Sequence, residues 1–180
     1  MEVFEAIQKR KSTRSYESAP VPSEKLNKVL EAARLAPSAG NIQPWRFIVV
    51  LDPQKRRKIA KGCRFGHFLD ESPVVIVGCG DQKASPRWYA IDTCIAMQNL
   101  VLAATGEGLG TCWIGAFNEK KIREMLKIPN HLKVVALLAL GYSKEKIDIS
   151  AKLAHLLNPR KKLDRIVYLE EYGEKFQAPL

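Results

Sequence analysis

The stretch from Tyr89 to Ala104 limits what this chain can become more than any other feature. It carries Ile91, Ile95, Ala96, Met97, Leu100, Val101, Leu102 and Ala103 in near continuity, with Asp92, Gln98 and Asn99 interrupting it. The run falls short of the roughly 20 apolar residues a membrane span needs. Pro86 and Arg87 before it and Gly106 after it punctuate an ordinary helix of a soluble protein. A helix apolar on most faces is buried on most faces. In a chain of 180 residues, that predicts a helix from Trp88 to Thr105 held between the protomer's own sheet and a second subunit.

Around this helix the sequence predicts an irregular alternation of elements. Helices are expected at Glu2 to Arg10, Ser23 to Leu35 with Ser23 as N-cap, Pro53 to Lys61 after Asp52, and Asn118 to Leu126 with Asn118 as N-cap. Strands rich in Val, Ile and Leu are expected at Arg46 to Leu51, Pro73 to Cys79, Thr111 to Ala116, Lys133 to Tyr142 and Arg165 to Glu170. No Gly-x-Gly-x-x-Gly follows a strand, so a Rossmann dinucleotide site is not supported. Gly106, Gly108 and Gly110 come after a helix and before a strand, where they end the helix and make a tight turn.

Three polar segments stand apart from this apolar framework. Pro37-Ser38-Ala39-Gly40-Asn41-Ile42-Gln43-Pro44-Trp45 pairs prolines that fix φ with a glycine that tolerates positive φ, and its hydroxyl and amide groups suit a flat heteroaromatic ligand. On composition alone it also reads as a plain helix-to-strand connection. Lys9-Arg10-Lys11-Ser12-Thr13-Arg14 places four cations and two hydroxyls in six residues where a helix must stop. That donor set holds a dianionic phosphate by charge-assisted contacts, although a basic run is more often a solvated face. The third segment, Asn158-Pro159-Arg160-Lys161-Lys162-Leu163, would on its own be a surface loop.

In this order, and with Gly108-Leu109-Gly110-Thr111-Cys112-Trp113-Ile114-Gly115 between the second and third, these segments resemble the FMN-dependent nitroreductase family in its short form. The resemblance covers almost the whole chain, and Pro-Ser-x-x-Asn-x-Gln-Pro-Trp is its most specific part. It implies an α+β fold with a central mixed, largely antiparallel sheet flanked by helices. It further implies one domain over residues 1–180, an intertwined homodimer, and a C-terminal segment from about 158 to 180 packing on the partner. Arg10, Lys11, Ser12 and Arg14 match positions that hold the FMN phosphate and ribityl chain and touch the pyrimidine edge; Lys11 replaces the more usual arginine or histidine but keeps a cation. Pro37, Ser38, Ala39, Asn41 and Gln43 match the flavin loop, of which Ser38, Ala39 and Asn41 would serve the second subunit's flavin. Ile114 and Gly115 match a backbone segment near flavin N5 and O4, where amide donors stabilise the negative charge of the reduced ring. Arg160 and Lys162 match the C-terminal phosphate contacts, with Lys161 able to replace either.

The activity so implied is a ping-pong oxidoreduction in which NADH or NADPH delivers hydride to FMN and a nitroaromatic, quinone or other small acceptor then takes its place. No side chain need act as nucleophile, and no metal is expected. The short segment Lys61 to Phe68 leaves the acceptor site open, with Phe65, His67, Phe68, Trp88 and Tyr89 as candidate lining residues and little room for the lids of flavin-fragmenting or dehalogenating relatives. Cys79, Cys94 and Cys112 read as small buried hydrophobes, and none of the four cysteines forms a CxxC pair. A net charge of +10 invites a nucleic-acid reading, but the cations are scattered and accompany no nucleic-acid module. The acidic, amphipathic start predicts a cytoplasmic protein without a leader. A flavin carrier or sensor without turnover is the main alternative, and a basic nucleic-acid-binding domain is the lesser one.

Overall fold

A computed structural model describes residues 1–144 and 156–176, and the chain divides into two compact units, Met1–Glu145 and Lys146–Leu180. In the first unit the apolar runs become β1 (Trp45–Val50), β2 (Val74–Asp81), β3 (Gly110–Ile114) and β4 (Leu132–Gly141), joined in the order β1-β2-β4-β3. The helices are α1 (Val3–Lys9), α2 (Ser23–Arg34), α3 (Pro53–Lys61), α4 (Tyr89–Gly106) and α5 (Glu119–Leu126).

Alternate residues of the two central strands feed two cores. Val75, Val77, Leu137 and Ala139 meet Ile59 of α3 and Ile122 of α5 on one face. Val74, Ile76, Leu138 and Leu140 meet Val29 and Ala33 of α2 and Met97, Leu100 and Val101 of α4 on the other. The sheet is thus covered on both faces, which explains why β2 and β4 read as continuous apolar runs without polar alternation. Close approach of α4 depends on Gly80, where an added Cβ would lie 2.9 Å from the Tyr89 carbonyl oxygen.

Every neighbouring strand pair is antiparallel. The expected mixed sheet is therefore corrected, its parallel component reduced to an isolated bridge between Ser12 and Thr111. The strand expected at Arg165 to Glu170 is also absent. Leu163–Arg165 is a 3₁₀ turn, and the N–H groups of Ile166 and Val167 both return to the Leu163 carbonyl, so they are spent locally. Tyr168 instead bridges Lys175 around a turn that holds Glu170 at φ 61 and Gly173 at φ 102. Residues 177–180 of the expected partner-packing segment lie outside the described residues.

The capping signals divide similarly. Asn118 accepts from the Lys121 N–H at 3.1 Å and Asp52 from that of Lys55 at 2.7 Å, so α5 and α3 start where their caps predict. Ser23 is the first helical residue and not the cap, because the Leu26 N–H already bonds the Pro22 carbonyl at 3.0 Å. Helix α4 buries one face only within this chain. Ile91, Cys94, Ile95 and Gln98 are exposed, so the expected burial of Cys94 is corrected while Cys79 and Cys112 are buried. Among the described residues no helix is long and apolar enough to cross a membrane.

Candidate functional site

The basic segment leaves α1 at Arg10, whose N–H closes the helix on the Ala6 carbonyl at 2.9 Å before the backbone turns extended. It then runs along the edge strand β3. The Thr13 N–H donates to the Thr111 carbonyl at 2.8 Å, and Ser12 bridges Thr111. Further on, the Glu17 N–H donates to the Tyr142 carbonyl at 2.9 Å. Thr13 and Tyr16 face inward, and the Tyr16 hydroxyl donates to the Thr13 carbonyl at 2.7 Å. Burial raises the Tyr16 phenol above its ordinary value, so it remains a donor at neutral pH. With the inward residues as anchors, Lys11, Ser12 and Arg14 are left exposed and Arg10 half-buried. Gly110 is required here, since a Cβ would stand 2.5 Å from Thr13 Oγ1.

At the other end of β3, Ile114 is buried and pairs with Leu137, while Gly115 is exposed with open space where a Cβ would be. The neighbouring Ala116 carbonyl accepts from the Arg64 N–H at 2.9 Å, and Cys63 bridges Phe117. This stitching brings the short segment after α3 beside the end of β3. Phe65 is 67% exposed under the Arg64 guanidinium, whereas Phe68 is 3% exposed and belongs to the core. Phe68 is therefore withdrawn as a lining residue, while His67 and Trp88 stay exposed. Tyr89 is half-buried and its hydroxyl accepts from the Gln82 amide at 3.1 Å.

The Pro37 to Trp45 loop is tightly specified. Ser38 Oγ accepts from the Gln43 N–H at 2.9 Å, and the Gln43 side-chain amide donates to both the carbonyl and side-chain oxygens of Asn41 at 3.1 Å. Gly40, Asn41 and Gln43 have φ of 57, 53 and 53, a left-handed cluster that two non-glycine residues adopt at some cost. The Ala39 N–H donates to the Asp92 carboxylate of α4, at 3.4 and 3.3 Å to its two oxygens. Pro44 and Trp45 are buried and anchor the far end, while Gly40, Asn41, Ile42 and Gln43 are exposed.

Sheet order decides which of these pieces meet. β1 and β3 are opposite edges, so three strand spacings, about 14 Å, separate them. The register through β2 and β4 puts Trp45 at the level of Gly80, and Thr111 at that of Leu140 and Val74. The loop and the basic segment thus also stand about 20 Å apart along the strands. The Arg10 to Arg14 segment runs beside the edge strand β3 and Gly115 follows its end, while the loop precedes β1 at the opposite edge. Arg160, Lys161 and Lys162 belong to the second unit, where all three are exposed ahead of the Leu163–Arg165 turn. The anchoring roles of Thr13, Thr111 and Asp92 were not legible in the motifs, although a lone carboxylate inside an apolar helix was a visible signal at Asp92.

A profile of the Nitroreductase family matches residues 7–64 and 62–142. A protein of Archaeoglobus fulgidus, provisionally named an NADH dehydrogenase/NAD(P)H nitroreductase, is 38% identical over 154 residues, 82% of this chain and 88% of its own. A crystal structure of a nitroreductase family protein from Clostridium novyi NT superposes with a TM-score of 0.77 at 38% identity, covering 98% of this chain and 97% of that one. An FMN-dependent nitroreductase from Clostridium difficile R20291 gives a TM-score of 0.80 at 31% identity, covering 93% of this chain and 98% of that one.

Proposed function

We propose, from the premise that this chain belongs to the nitroreductase family, that it is an FMN-dependent oxidoreductase taking hydride from NADH or NADPH and reducing a small acceptor such as a nitroaromatic or quinone. Bound FMN supplies a two-electron relay between donor and acceptor, which use one open pocket in turn and so compete for it. The observation that carries the reading is the edge strand β3, which has an exposed bank of cation and hydroxyl donors at one end and bare backbone at Gly115 at the other. Arg10, Lys11, Ser12 and Arg14 hold the phosphate and ribityl chain. The backbone at Ile114 and Gly115 lies against the ring, where the absence of a side chain on Gly115 permits close approach.

The active form is a homodimer. Its support is twofold: the Ser38 to Gln43 loop stands far from the basic bank of its own protomer, and α1 and α4 pack together with apolar residues uncovered. Val3, Phe4 and Ile7 of α1 and Ile91 and Ile95 of α4 are exposed. In this arrangement Ser38, Ala39 and Asn41 complete the partner's flavin site. The C-terminal segment from about residue 158 packs on the partner and delivers Arg160 and Lys162, or Lys161 in place of either, to a phosphate.

An anaerobic visible spectrum of the FMN-reconstituted protein tests the activity. Bleaching of the flavin band near ~450 nm by NADPH or NADH is expected. A band that persists with both donors would favour a flavin carrier, and no FMN binding at all would sink the site assignment.

A further inference from the structure

Asp92 is 3% exposed and sits in the first turn of α4, otherwise an apolar helix. A buried carboxylate is costly unless its oxygens are satisfied, and an ionised one can accept about four hydrogen bonds. Among the described residues its side chain accepts from a single donor, the Ala39 N–H. A buried polar side chain is thus kept in an apolar helix with one loop amide as its partner.

That amide is strategically placed. Most other bonds of the turn close it upon itself, the Asn41 N–H on the Ser38 carbonyl at 2.9 Å, the Ile42 N–H on the Ala39 carbonyl at 3.2 Å and the Gln43 N–H on Ser38 Oγ at 2.9 Å, while the Gln43 carbonyl accepts from the Arg46 guanidinium of β1 at 3.2 Å. Bonds of so short a span protect their amides only while both ends of the turn are held. Its C-terminal end is fixed by the Asp81 N–H on the Pro44 carbonyl at 2.9 Å, and Ala39 to Asp92 is the matching tie at its N-terminal end. We infer that Asp92 is a positioning residue that locks the Ser38 to Gln43 turn onto α4 and so sets where its polar groups meet the flavin. The flavin part of this role rests on the function proposed above, whereas the tie itself does not.

Asp92→Ala and Ala39→Pro remove the two halves of the tie. Ser38, at φ −145 and ψ 155, already has the extended backbone that a following proline requires. Asp92→Asn keeps an oxygen for the same N–H and serves as the conservative rescue. Amide exchange at Asn41 and Gln43, normalised to amides of β2, and FMN affinity by fluorescence titration are the two readouts. Each disrupting variant is expected to accelerate loop exchange about tenfold or more and weaken FMN by a similar factor, with Asp92→Asn within about threefold of the parent on both. Unchanged relative protection in Asp92→Ala, or equal release in Asp92→Asn, overturns the assignment. If Asp92→Ala does not fold, Ala39→Pro against Asp92→Asn decides by the same readouts. If the unaltered protein binds no FMN, the functional proposal falls while loop exchange still decides the tie.

Discussion

Arg14 illustrates how the candidate site is held out from the fold. Thr13 before it and Tyr16 after it are buried and hydrogen-bonded into the molecule, so the guanidinium is presented from a fixed backbone without being part of the core. Arg14→Ala is expected to weaken FMN by about tenfold or more, the worth of one charge-assisted contact, read by flavin fluorescence on titration. The cysteines make a separate prediction. Burial lifts the Cys63 and Cys79 thiols from an ordinary 9.0 to about 11. The folded chain therefore binds more protons than the unfolded one in that interval. The associated stability is complete below about pH 9 and is lost as pH rises toward 11, so the melting midpoint should fall across that window and fall less steeply in Cys79→Ala. The residue types of Arg10, Ser12 and Arg14 were plain in the sequence, whereas their placement beside β3 was not. Nor was the role of Asp92, because it depends on an amide 53 positions away.

Among the elements, α4 does two jobs. One face fills the sheet's core through Met97, Leu100 and Val101, and the other offers Ile91, Cys94 and Ile95. Its all-round apolarity was plain in the sequence, and only the assignment of faces needed three dimensions. A charge on the outer face should separate the subunits while sparing the core: Ile95→Asp is expected to sediment as a monomer and lose FMN with it. A protein that stays dimeric would place the interface elsewhere. Where the sequence misled, local bonding had overruled propensity. Arg165 to Glu170 has the composition of a strand, yet its first free N–H groups turn back to Leu163. Ser23 has the chemistry of a cap, yet the carbonyl before it starts the helix. Asn118 succeeded because side chain and backbone agreed on one start.

Taken entire, the chain has its Pro37 to Trp45 loop and its Lys9 to Arg14 basic segment at opposite edges of one sheet, and the motifs carried their order but not their separation. If sites are shared, lesions on the two segments complement one another. Co-refolding Arg14→Ala with Asn41→Ala should create mixed dimers with one doubly damaged and one intact site. Random pairing would then restore about a quarter of full activity, against none if each site is built from one chain. Donor and acceptor competing in steady-state kinetics would support the single pocket, and intersecting lines would reject it. The ladder between β2 and β4 also has a bearing on biosynthesis. β2 is almost wholly apolar and pairs on one side with a strand that ends 60 residues later, at Gly141. At about 5 to 20 residues per second, a ribosome completes β2 roughly 3 to 12 s before its central partner exists. During that interval the nascent chain displays an unsatisfied apolar strand, so this protein's yield in a cell should respond to chaperone supply and to translation speed between codons 81 and 141.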